Sequence, residues 1–185
     1  MSQSTLFFVI VAIAVVALAV VAWGLFQKMR TKRLRGRFGP EYERTVRQIG
    51  DRRKAEEELE ARKKRVEKLT LRPLTSEEQT RFGKEWKAAQ TRFVDDPKGD
   101  VADANRLVKE LMQARGYPMG DFEQRAADIS VDHPRVVSNY RSAREIASRC
   151  AEGQASTEDL RQAVIYYREL FDELLETPQV VGVAS

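Results

Sequence analysis

The one grouping of carboxylates with an imidazole lies between residues 121 and 133. It comprises Asp121, Asp128, Asp132 and His133, the only histidine in the chain. Such groups move protons in general acid–base catalysis, or hold a metal when further donors join them. Asp95 and Asp96 form a second acidic pair, just before Pro97. An enzyme would bring both sets to one cleft. However, the spacing matches no metal motif, and helix capping offers a simpler use. Asp132 is placed to cap a helix starting around His133 and Pro134, and Asp95 or Asp96 to cap one starting at Pro97. The four residues therefore stand as candidates only, with no catalytic, cofactor-binding or metal-binding residue assigned and no cofactor implied. Cys150 is the sole cysteine. It permits no internal disulfide and no cysteine-based metal site, and reads as a small core residue. Glycine-rich phosphate loops and the G-x-S-x-G elbow are missing.

The elements around these residues read as helices, so the fold class is all-α. Thr75 and Glu78 fit a capping box ahead of Phe82, Trp86, Ala89 and Phe93, which share one helical face. A second helix spans about Pro97 to Arg115, with Gly116 placed to end it. Phe122, Ala126 and Ile129 mark a short third helix. Val136, Val137, Tyr140, Ala143, Ala147 and Cys150 mark a fourth. The fifth follows Ser156 or Thr157 and carries Leu160, Val164, Tyr167, Leu170, Phe171 and Leu174. Residues 71–176 thus predict a small bundle of about five helices, followed by a flexible tail, 177–185.

The first seventy residues are built differently. Leu6 to Phe26 contains no charged or strongly polar side chain. At 1.5 Å per residue it is about 31 Å long, the thickness of a bilayer's hydrocarbon core. Lys28, Arg30, Lys32, Arg33, Arg35 and Arg37 follow at once. The flank before the run has no charged side chain, and no small-residue cleavage site follows it, which favours a retained anchor over a signal peptide. Cations near one end of a span are held on the cytoplasmic side. Residues 1–5 are therefore expected outside, 6–26 across the inner (plasma) membrane with Trp23 and Phe26 at its inner interface, and the rest in the cytoplasm. Residues 27–39 form a polybasic juxtamembrane segment suited to an anionic leaflet. Phe38-Gly39-Pro40 breaks the helix, and residues 40–70 predict one long charged neck helix, either a coiled-coil strand, a stalk or a helix laid on the head. From Lys28 to Arg72 there are 17 Lys and Arg against 8 Asp and Glu; from Pro73 onward the balance is 15 against 20. The cations of the neck alternate with glutamates and lack interleaved aromatics, which speaks against a nucleic-acid partner.

Several phrases resemble an uncharacterised family of short bacterial proteins with a single N-terminal membrane span, often labelled as membrane or secreted proteins. They are Arg37-Phe38-Gly39-Pro40-Glu41-Tyr42, Arg92 to Pro97, Arg115-Gly116-Tyr117-Pro118, Asp121 to Pro134, Asn139-Tyr140-Arg141 and Ser156 to Ala163. The resemblance implies no activity, so no functional residue is carried over. Two classes of function follow. One is a non-enzymatic, membrane-anchored cytoplasmic module for protein interaction or scaffolding, with a protein partner or a second copy of itself. The other is an enzyme using Asp121, Asp128, Asp132 and His133. An exported, membrane-anchored head is a third arrangement.

Overall fold

The computed structural model describes residues 3–176, with side chains from Ile13 onward apart from Ala14. All regular structure among these residues is helical. The elements are α1 (Gln3–Phe38), α2 (Pro40–Ile49), α3 (Arg52–Val66), α4 (Ser76–Arg92), α5 (Pro97–Ala114), α6 (Phe122–Asp132), α7 (Val137–Ala151) and α8 (Thr157–Glu176). Among the described residues no helix is long and apolar enough to cross a membrane. Residues 6–12 and Ala14 of the expected span lie outside the residues whose side chains are described, as does the expected tail.

The head is the expected five helices, α4 to α8. Thr75 and Glu78 form the capping box of α4, and the Asp96 side chain accepts from Gly99 N at the start of α5. The apolar faces meet in one core, with α8 between α5 and α7 and with α4 laid on α5. Trp86 of α4 stacks on Phe171 of α8, with ring centroids 4.4 Å apart. Gly116 takes φ +94°, and a Cβ there would come within 2.6 Å of the Thr70 carbonyl oxygen. Glycine is therefore required where the chain leaves α5 beside the connector.

The expected neck helix is two helices. Gly50 adopts the left-handed conformation, φ +74°, and its N–H closes α2 onto the Val46 carbonyl. Asp51 then caps α3, accepting from Lys54 N at 2.8 Å. A glycine stop followed by an aspartate cap ends one helix and starts another, so the chain turns here instead of running on. The turn lets α3 fold back onto α1, α2 and α6. The neck packs on the head and is not a free stalk.

A second core forms at that junction from Leu34 and Phe38 of α1, Tyr42 of α2, Leu59 and Val66 of α3, and Val131 of α6. Leu69 and Leu71 in the connector touch both cores. α1 is thus one helix that begins in the apolar run and ends inside the folded unit. Both ends of α3 meet the same two turns of α1. Arg52, Arg53 and Glu56 flank a hollow with Gln27, Lys28 and Thr31, while Glu60 and Lys64 flank another with Phe26, Met29, Arg30 and Arg33. Equal heights on α1 at the two ends mean that α3 crosses α1 steeply.

Phe38 is fully buried and Ile49 is 39% exposed. Phe38→Ala should lower unfolding stability by about 3–5 kcal/mol, while Ile49→Ala should change it by less than about 0.5 kcal/mol. Chemical denaturation of the detergent-solubilised protein checks this; equal effects would mean that the second core is not formed.

Candidate functional site

The sequence placed its candidate chemistry on α6, and the structure spreads those groups over separate tasks. Asp121 is the N-cap of α6, accepting from Gln124 N at 2.8 Å. Asp128 is fully buried and accepts from Arg65 Nε of α3 at 2.8 Å and from Gln124 Nε2 at 3.0 Å. Asp132 does not cap α7, contrary to the sequence reading. α6 runs through Asp132, three turn residues follow His133, and α7 begins at Val137 with no side-chain cap. The carboxylate of Asp132 instead faces Arg37 of α1 at 3.5 Å and Tyr117, whose hydroxyl is pushed up chiefly by burial and further by Asp132. His133 is buried, with Nδ1 3.1 Å from a Glu173 carboxylate oxygen of α8. Asp96 is used as a cap and Asp95 lies in an exposed turn. No group of three or more His, Cys, Asp or Glu able to hold a metal occurs among the described residues.

Asp128, Asp132 and His133 share a different property: they fasten helices together. Arg65 ties α3 to Asp128, Arg37 ties α1 to Asp132, and His133 ties α6 to α8. Beside them Arg141 of α7 bridges Glu41 of α2 at 3.0 Å and Glu123 of α6 at 2.6 Å. Glu41 is almost wholly buried and also faces Arg44 and Arg62, at 3.3 and 3.6 Å. Glu56 of α3 accepts from Thr31 Oγ1 at 2.7 Å, Tyr42 Oη at 2.8 Å and Arg52 Nε at 3.2 Å. Burial alone would raise the Glu56 carboxyl, but these donors outweigh it and hold it below the usual carboxylate range. They join α1, α2 and α3 at one carboxylate.

The six cations after the apolar run divide in the same way. Arg35 pairs with Glu43 at 2.8 Å and lies over the Tyr42 ring, and Arg37 pairs with Asp132. Lys28, Arg30, Lys32 and Arg33 make no ion pair with any described residue. Among the described residues these four cations form a collar without ion-pair partners between the apolar run and the junction. No family model, curated protein or solved structure matches the chain.

One titratable group escaped the sequence reading. Asp100, in the first turn of α5, is 2% exposed, and neither carboxylate oxygen has a hydrogen-bond partner. The pattern offered no signal for this, because an acidic residue in a first helical turn is ordinarily solvated and favoured by the helix dipole. Burial, with Asp103 adding to it, pushes the Asp100 carboxyl up to about 6. A carboxyl raised in the folded state binds its proton more tightly there than in the unfolded chain. Asp100 therefore costs no stability well below pH 4; the cost grows between pH 4 and pH 6 and is complete above pH 6. Asp100→Asn should raise stability by up to about 3 kcal/mol near pH 8 and by no more than about 0.5 kcal/mol near pH 4. Denaturant midpoints at the two pH values test this, and a gain independent of pH would contradict it.

Proposed function

We propose that the chain is a single-pass membrane protein whose helical head is held against the cytoplasmic face and works by binding, not by catalysis. The observation that carries this reading is the surface of α1. Ten large apolar side chains, from Ile13 to Met29, stand exposed there, against three in all the other described residues. They include adjacent pairs such as Val15–Val16 and Val20–Val21, so no face of the helix is shielded. A patch of that extent on a stable protein needs an apolar surrounding. Lipid supplies one on every side of a helix.

The collar supports the orientation. Four unpaired cations follow the apolar run, and cations are retained on the cytoplasmic side. A short external N-terminus and a cytoplasmic head follow. Anionic lipid of the inner leaflet is then the first partner of the collar. The binding reading of the head rests on how its charged groups are used. Three of the four candidate side chains, Asp128, Asp132 and His133, serve junctions between helices and Asp121 caps α6, which leaves a helical surface as the functional feature. Such a head would present that surface, at fixed height and attitude, to a protein partner or a second copy.

Two measurements on the full chain test the proposal. The protein should remain with membranes after alkaline carbonate extraction, and release would overturn the anchor. A C-terminal green fluorescent fusion should fluoresce and a C-terminal alkaline phosphatase fusion should be inactive. The reverse pair of results would place the head outside the cytoplasm.

A further inference from the structure

The steep crossing of α3 over α1 creates a groove of about 300 Å³ just beyond the apolar run. Its walls are Phe26, Met29, Arg30 and Arg33 from α1, and Glu60 and Lys64 from α3. Phe26 and Met29 are exposed and continue the apolar surface of α1 into the groove. Arg30 and Arg33 lie three residues apart on one helical face, and Lys64 approaches from across the groove. None of these three cations pairs with a described residue. Three cations thus face one carboxylate, Glu60, in a hollow with an apolar side.

The depth of the groove decides what fills it. If Phe26 marks the edge of the hydrocarbon, Arg30 and Arg33 sit about 6 and 10 Å beyond it at 1.5 Å per residue. Arg30 thus lies within the polar headgroup layer, which adds roughly 5–8 Å on each side of the core, and Arg33 lies just past its outer edge, within reach of a long guanidinium side chain. Guanidinium groups form paired hydrogen bonds with phosphate oxygens, and a lysine adds a point charge. An apolar wall reaching back along Phe26 toward the span suits an acyl chain, which a free phosphate would not use.

We infer that the groove between α1 and α3 is a binding site for one anionic phospholipid of the inner leaflet, its phosphate held by Arg30, Arg33 and Lys64. The site deepens the anchored reading above and rests on it. It also differs from the diffuse attraction that any polybasic segment has for an anionic leaflet, because α3 contributes a wall. Lys28 and Lys32 belong to the same collar but do not line the groove. They provide the control.

The test uses the full-length protein in detergent, titrated with phosphatidylglycerol or phosphatidylcholine and read by native mass spectrometry. Wild type should retain one phosphatidylglycerol in preference to phosphatidylcholine. Arg30→Gln with Arg33→Gln should weaken that retention roughly tenfold or more, as should Lys64→Gln by severalfold. Lys28→Gln with Lys32→Gln should change it by less than about twofold. Equal losses in the two double variants would overturn the site in favour of diffuse attraction. Retention of both lipids alike would overturn it too, and so would full displacement of the lipid by inorganic phosphate, since that would mean a phosphate site without a lipid role. Carbonate extraction of the membranes from which these proteins are purified separates the two claims. A protein that stays in membranes yet shows no lipid preference loses the groove and keeps the anchor.

Discussion

Leu34 and Phe38 stand one turn apart at the end of α1, and both are almost completely removed from solvent. Each contributes roughly 2 kcal/mol of apolar burial. Their larger effect is geometric. Because α1 is continuous from the apolar run to Phe38, whatever fixes these two side chains also fixes the direction in which the run leaves the folded unit. A flexible linker at residues 27–38 would leave the head free to tumble relative to the apolar run. Here the same residues are helix, and their last turn is core.

The second core has only six buried apolar residues, and an apolar cluster of that size does not specify its own register. Charged groups supply the missing specification. Glu56 collects donors from α1, α2 and α3, Glu41 collects arginines from α2, α3 and α7, and Asp128 and Asp132 receive Arg65 and Arg37. The pairs whose carboxylates are buried, those of Glu41, Glu56 and Asp128, add little net stability, because desolvation offsets much of their attraction. Breaking one is nonetheless costly, since the remaining charge is left buried and unpaired. The pairing pattern therefore selects one arrangement of helices over others of similar apolar burial.

Local features of this structure were legible in the sequence, and those that join distant segments were not. The capping box at Thr75 and Glu78, the Asp96 cap and the apolar faces of α4 to α8 all follow from spacings of three and four residues. The neck reads as one helix because a lone glycine, Gly50, costs a helix interior only about 1 kcal/mol. With Asp51 behind it, the same glycine is a stop followed by a start. Asp132 and His133 looked like a helix start because Pro134 follows them, yet α6 holds Asp132 and the turn comes later. Asp128 and Arg65 are 63 residues apart, so no local period could have joined them. For the same reason Arg35 and Arg37 read as membrane-surface cations alongside their neighbours. Folding α2 and α6 beside α1 gives them protein partners, and the collar shrinks to four.

If α1 is the anchor proposed above and sets the attitude of the head, α3 lies nearly flat at the membrane surface. Spin labels at Arg53→Cys and Lys64→Cys, in a Cys150→Ser background in anionic nanodiscs, measure this directly through power-saturation depths. The two labels should sit at headgroup depth and differ by no more than about 6 Å, the spread allowed by a span tilted about 20°. A difference near 16 Å, as for a helix standing along the bilayer normal, would contradict a head fixed by α1.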